Sequence, residues 1–241
     1  MRTEIKSVRP ERTLLRQTVT DRIKTYIIDN RLAPGAPLPT EAELCEALNA
    51  SRSSLREAIK TLAALDIVEV RHGSGTFVGR LSLSALVESL TFRGLLSPDD
   101  DCRALLDLVE VRQLFEQGMA TRIIERLDEE HLVELELAVV QLERSPSGGA
   151  AQVQADRTFH RLLMQPLGNQ LVSQLTGAFW DVHAIVAPYL GMSSPEEDAE
   201  AVAAHRAMLE AARGRDVDAF TAAVAQHYAP VRRRIAATAG A

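Results

Sequence analysis

The sequence predicts a mainly α-helical protein in two parts, an N-terminal winged helix-turn-helix (three helices plus a β-hairpin) followed by an all-α helical bundle. Three observations carry this. Three segments with helical apolar spacing, two of them opened by caps, lie between residues 13 and 64. A single pair of β-rich runs then flanks a Gly-Ser-Gly tip. Every later segment has helical periodicity, without an alternating strand pattern or an internal repeat.

Residues 13–30 place Leu15, Val19, Ile23 and Ile27 on one helical face, and Asn30 with Pro34-Gly35 ends that helix. Thr40 with Glu43 three residues on forms a capping box for a short helix through Leu48. Asn49-Ala50 turns the chain, and Ser51 caps a third helix from Arg52 to Ala64. Ile67–Arg71 and Thr76–Val78 read as the hairpin strands. Beyond Arg80 the helical segments are 82–93, 99–126, 129–144, 150–165, 168–190, 196–213 and 216–237. Ser97-Pro98, the Ser145–Gly149 run, Ser194-Pro195 and Gly214 separate them. The expected domains are therefore 12–80, a linker helix over 81–98, and a helical domain over 99–237.

With 46% apolar and 25% charged residues, the 241-residue chain has an ordinary globular composition. No apolar stretch approaches the roughly 20 residues of a membrane span, so no membrane partner is expected. The charged opening MRTEIKSVRPER does not read as a secretory signal. Cys45 and Cys102 lack metal-type spacing and fit a reducing cytoplasm without a disulfide. The net charge of −6 is unevenly spread: residues 1–80 carry 13 basic and 10 acidic side chains, the remainder 14 and 23. A basic head on an acidic body suits a nucleic-acid partner for the head.

The third helix opens with Ser51, Arg52, Ser53, Ser54 and Arg56 at one end, while Leu55, Ile59 and Leu62 form the opposite stripe. Arginine suits bidentate contact with guanine, and serine hydroxyls suit phosphate or base contacts. Taken alone such a tract is a capped, solvated helix start; the capped helix before it and the hairpin after it favour DNA reading. Arg71, His72 and Gly73 lie where the hairpin tip can enter a minor groove, and Gly73 and Gly75 permit positive φ. This segment resembles the GntR family of regulators. The family pattern appears as Pro34-Gly35, Leu38-Pro39-Thr40-Glu41, Ser51 to Ala58 (SRSSLREA) and Gly73 to Val78 (GSGTFV). The resemblance implies DNA contacts by Arg52, Ser53, Ser54, Arg56, His72 and Gly73. Ala42 stands where some members carry a DNA-contacting arginine.

In the second part, Asp156 and His160 are four residues apart, hence neighbours on one helical face, in register with Val153 and Leu163. His205 runs with Val202, Leu209 and Ala212; His227 runs with Val217, Phe220, Val224 and Val231. Each histidine alone reads as a hydrogen-bonded core residue. Four polar groups from three helices aimed at one core instead point to a divalent metal, because a buried carboxylate needs a partner or a cation. Zinc is the first choice, with nickel or manganese as alternatives. The pattern resembles the FCD ligand-binding domain of the FadR subfamily, in which an Asp-x3-His pair and two later histidines hold a metal. It covers roughly residues 100–235. The founding acyl-CoA-responsive member lacks this set, so the chain looks like the metal-containing branch.

Arg112 shares an otherwise apolar face with Leu105, Leu108, Phe115 and Met119. A guanidinium aimed into a bundle calls for a carboxylate, either Glu116 one turn on or an organic-acid effector. Asn169 is expected to assist the effector, and Trp180 and His183 lie on an apolar helix beside core or pocket. The expectation is a non-enzymatic, dimeric transcription regulator, in the sense of a repressor, that binds a pseudo-palindromic double-stranded operator and answers to a small carboxylate. A metal-dependent hydrolase is the rival. Against it, no general base stands out beside the cluster and no G-x-S-x-G or H-E-x-x-H motif occurs.

Overall fold

The computed structural model describes residues 10–95, 103–186 and 193–239, and side chains within 19–93, 103–186 and 193–237. The side chain of Leu15, the Ser97-Pro98 break, Cys102 and residues 187–190 lie outside these ranges. The chain divides into two compact units, one ending at Ala85 and one beginning at Leu86.

In the first unit, α1 (Pro10–Asp29), α2 (Glu41–Ala47) and α3 (Arg52–Ala64) precede β1 (Val68–Arg71) and β2 (Gly75–Val78). Val19 and Ile23 of α1 meet Leu44, Leu55, Leu62, Val68 and Val78 in one buried core. The strands pair antiparallel from Val68↔Val78 to Arg71↔Gly75, and Pro37 adds a bridge to Phe77. β1 starts one residue later than expected because the Ile67 N–H still closes the end of α3 on the Leu62 carbonyl, at 2.9 Å. Behind the hairpin, Gly79 lies so close to the α3–β1 turn that a Cβ there would sit 2.1 Å from the Asp66 carbonyl oxygen. Only glycine fits that approach.

The second unit begins within α4 (Ser84–Leu95) and holds α5 (Arg103–Arg126), α6 (Glu129–Arg144), α7 (Ala150–Met164), α8 (Gln170–Val186), α9 (Pro195–Arg213) and α10 (Val217–Ala239). Its core includes Leu105, Val109, Ile123, Leu135, Phe159, Leu163, Met208, Phe220 and Val224. A 3₁₀ turn over Gln165–Leu167 and a left-handed Gly168 delay α8 to Gln170, two residues later than the periodicity suggests. Ser194 forms a capping box with Glu197, and Pro195 opens α9. At the α9–α10 turn the left-handed residue is Arg215 rather than Gly214. Arg215 Nη1 donates to the Ile124 carbonyl at 3.0 Å, and Asp216 Oδ1 accepts from the Ala219 N–H at 2.9 Å. That turn ties α9 and α10 to the end of α5.

Candidate functional site

The first unit presents two polar ends. At the start of α3, Ser51 Oγ accepts the Ser54 N–H at 3.1 Å and also lies within hydrogen-bond reach of the Ser53 and Ser54 hydroxyls. Arg22 of α1 donates to the Leu48 carbonyl at 2.7 Å, pinning the end of α2 just before the turn through Asn49, whose φ is +46°. Leu55 is fully buried while Ser51, Arg52, Ser53 and Arg56 are exposed. The helix is thus held by its apolar stripe, and its polar start is left for a partner. Arg56 Nε sits 2.9 Å from Glu41 Oε2, an exposed pair of the kind that contributes little. At the hairpin tip, Gly73 and Gly75 take φ of +74° and +105°. His72 is exposed there, while Arg71 folds back, 2.9 Å from Glu69 and over the Phe77 ring.

The second unit brings Asp156 and His160 of α7, His205 of α9 and His227 of α10 together. One ligand-type atom from each lies within 4.8 Å of all the others. His160 Nε2 is 3.2 Å from His227 Nε2 and 3.2 Å from Asp156 Oδ1, and His205 Nε2 is 2.8 Å from the same Oδ1. Four-coordinate zinc with bonds of about 2.0–2.1 Å spaces its ligand atoms by roughly 3.3 Å, so the donor set fits such an ion. Two far ring nitrogens have outer acceptors nearby, as at a metal site: His205 Nδ1 lies 2.8 Å from the Ala201 carbonyl, and His160 Nδ1 makes a 2.8 Å ion-pair contact with Glu116 Oε1 that is off the line of a hydrogen bond. His227 Nδ1 is buried without a hydrogen-bond partner. Leu163 continues the stripe inward, as expected, but Val153 does not: it is 45% exposed, on the wall of the adjoining cavity.

Charges in the cluster are strongly coupled. Burial works against ionised Asp156, but His205 and His160 outweigh it and hold the carboxyl well below its usual range. Burial opposes a proton on His160 as well, yet Glu116 and Asp156 prevail and raise its pKa to about 9. Burial, reinforced by the other two imidazoles, keeps His227 neutral, its pKa well below the ordinary value. These directions make a pH prediction for the metal-free protein. An unfolded histidine titrates near 6.5, so the folded state retains a proton that the unfolded chain loses. The stabilisation is complete below pH 6.5 and disappears as pH rises through about 9. Melting of chelated protein is expected to fall between pH 7 and 9.5, and to fall less in zinc-loaded protein. Equal slopes with and without zinc would refute this coupling.

Beside the cluster lies a cavity of about 550 Å³, with Arg112, Asp156, Trp180, His183, His205 and His227 in its wall. Arg112 is 5% exposed, with its guanidinium 5.2 Å from the Trp180 ring and 5.4 Å from the Tyr228 ring. Glu116 is turned away from the direct pairing that its i+4 spacing suggests. Its Oε1 accepts the Tyr228 hydroxyl at 2.7 Å and faces His160. Sequence reasoning missed this second role; the adjacency of Tyr228 to His227 was the available signal. Burial, with Arg112 nearby, pushes His183 down to about 4, so a neutral imidazole faces the cavity. Asn169 is not brought to the cavity. It is exposed, and its Oδ1 accepts the Leu171 and Val172 N–H groups at 3.0 and 3.4 Å, capping α8. His131 pairs with Asp128 at the start of α6, away from the cluster.

Comparison with known proteins agrees with both units. Residues 15–78 match the bacterial regulatory proteins of the gntR family, and residues 107–230 match the FCD domain. The galactonate operon transcriptional repressor of Escherichia coli K12 is 29% identical over 220 residues, 90% of this chain and 96% of that protein. The transcriptional repressor NanR of Cronobacter sakazakii is 26% identical, over 90% of this chain and 83% of its own. Among solved structures, Streptococcus agalactiae GntR superposes with a TM-score of 0.62 at 29% identity, covering 91% of this chain and 99% of the other.

Proposed function

The chain belongs to the FCD-domain branch of the gntR family of bacterial regulatory proteins, and is by that membership a DNA-binding transcription regulator; from that premise we propose that it is a cytoplasmic, homodimeric repressor released or engaged by a small organic acid bound beside a divalent metal. The proposed division is a DNA-binding domain over 12–80, a linker helix over 81–98 and a sensing domain over 99–237. Arg52, Ser53, Ser54 and Arg56 read the operator, with Ser51 as the cap that presents them, and Arg71, His72 and Gly73 enter the minor groove from the hairpin tip. A dimer presents two such heads, so the operator is a pseudo-palindrome. The sensing role fits the names of relatives, one of which is a repressor of a galactonate operon.

The observation that carries the sensing role is Arg112. Its guanidinium is buried in a cavity wall, under two aromatic faces, with no hydrogen bond or ion pair to it among the described residues. A buried, unpaired guanidinium calls for an anion, and a carboxylate matches its fork bidentately. Held by Asp156, His160, His205 and His227, a divalent ion supplies a Lewis-acidic position for an oxygen of the same acid. Neutral His183 adds no charge of its own to that end of the cavity, so Arg112 and the ion set its sign. The zincs of hydrolases need a general base close by; Asp156 is itself one of the proposed ligands, and Glu116 beside the cluster is engaged by His160 and Tyr228. Substituting Arg112→Gln is expected to weaken carboxylate binding roughly thirtyfold, the worth of about 2 kcal/mol for a charged hydrogen-bonded pair. Titration calorimetry of zinc-loaded wild-type and variant protein checks this; unchanged affinity would refute the anchor.

A further inference from the structure

The cavity is polarised from end to end, and its far end carries information that the carboxylate site does not use. His205 lies in the third turn of α9. The same helix lines the cavity through Val202 and Ala201 back to Asp198 and Glu197 near its start. Seven residues separate Asp198 from His205, about 10 Å along a helix axis. At that far end Glu197 faces Arg234, 3.8 Å away, so their charges largely offset each other. Asp198 has a neutral partner instead: its Oδ2 accepts the hydroxyl of Ser147, which reaches over from the loop between α6 and α7. Gln152 of α7 also lines this end, its Oε1 accepting the Gly148 N–H at 2.7 Å. The near end is therefore positive, through Arg112 and the proposed ion, and among the described residues the far end has one uncompensated carboxylate beside hydroxyl and amide groups.

We propose that the effector is a polyhydroxylated monocarboxylic acid of about six carbons, whose tail hydroxyls are read by Asp198, Ser147 and Gln152, and that Asp198 excludes acids with a second carboxylate. The inference rests on the carboxylate site at Arg112 proposed above. An extended chain advances roughly 1.2 Å per bond, so a six-carbon acid spans about 8 Å between its terminal oxygens. With contacts at both ends it matches the roughly 10 Å of α9 between His205 and Asp198, of which a two-carbon acid falls short. A carboxylate accepts hydrogen bonds from hydroxyls, but it repels another carboxylate in a confined, partly desolvated site. Specificity of this type comes from the repulsive element as much as from the attractive contacts. Among the described residues, the remaining lining near Asp198, Val153 and Pro195 among it, offers no cation to hold a second carboxylate apart from Arg234, which Glu197 already engages.

The test is titration calorimetry on the zinc-loaded, full-length protein with three probes: a six-carbon aldonate, the six-carbon aldarate bearing a carboxylate at each end, and glycolate. The aldonate is expected to bind at least tenfold tighter than either of the others. The variant Asp198→Asn keeps a group that can accept the Ser147 hydroxyl, and it is expected to narrow the aldonate-to-aldarate ratio at least fivefold while glycolate affinity is unchanged. Equal affinity for aldonate and aldarate in the wild type, or an unchanged ratio in Asp198→Asn, overturns the inference while leaving the carboxylate site standing. Binding of none of the three overturns the carboxylate site, and this inference with it. A melting curve of Asp198→Asn within a few degrees of wild type shows that the variant reports on recognition and not on folding.

Discussion

Asp156→Ala is expected to lower the affinity of the proposed site for zinc at least a hundredfold. The reasoning starts from one oxygen. Asp156 Oδ1 is the point at which His160 of the same helix and His205 of α9 meet, at 3.2 and 2.8 Å. Removing it leaves three imidazoles facing one another, with Glu116 behind His160 as the remaining anion. Changes to the outer partners of metal sites already cost about 10- to 100-fold in affinity, and loss of a direct ligand exceeds that. The consequence for stability follows by mass action: a ligand at a hundred times its dissociation constant stabilises by about 2.7 kcal/mol. Wild-type melting should therefore rise on adding zinc and melting of Asp156→Ala should not. Elemental analysis of the purified proteins supplies the independent readout. Retention of one tightly held ion per chain in Asp156→Ala would show that the cluster is not the metal centre.

The double substitution Arg52→Ala with Arg56→Ala is expected to abolish specific operator binding while melting stays close to wild type. Both side chains project from the exposed start of α3, whose fixation comes from buried Leu55, Ile59 and Leu62 on the other side. The Arg56–Glu41 pair is mostly solvent-exposed, so losing it costs the fold little. On DNA each arginine that contacts a guanine or a phosphate contributes roughly 1–3 kcal/mol, so the pair is worth about a hundredfold or more. The shape of the loss separates the roles. A base contact relaxes sequence preference, whereas a phosphate contact weakens all sequences alike and reduces the salt dependence. Gel-shift or anisotropy titrations against specific and unrelated duplexes at two salt concentrations distinguish them. Full-strength specific binding by the double variant would remove α3 from the interface.

Much of this site is legible in the sequence because its signals are local. Thr40 with Glu43, Ser51 ahead of Arg52, and the glycines about the hairpin tip each act within four residues, and the structure forms the caps and turn they specify. The three histidines and Asp156 are legible for a related reason: each interrupts an apolar helical stripe, so each must face a core, and three such stripes converge. Long-range choices are less visible. Glu116 sits at the spacing that favours Arg112, yet His160 and Tyr228 claim it from 44 and 112 residues away in sequence. Asn169 follows the 3₁₀ turn and is needed as a helix cap, a role that an isolated polar residue near a predicted helix start does not declare. Val153 keeps the helical register of Asp156 yet opens onto the cavity, because that register says nothing about where a bundle leaves space. The close approach of Gly79 to Asp66 is likewise set by tertiary packing.

The central claim is that an acid bound at Arg112 beside the metal changes the affinity of α3 for DNA. It is tested most directly by operator anisotropy, using a labelled duplex selected by the protein from a random pool. Zinc-loaded and chelated protein are titrated, each with and without the tightest-binding acid of the series above. Allosteric couplings of about 1–3 kcal/mol correspond to 5- to 150-fold changes in affinity. The expected result is a shift of that size, in either direction, in zinc-loaded protein, and little or none after chelation or in Arg112→Gln. Identical operator affinity with and without an acid shown to occupy the zinc-loaded protein would contradict the account.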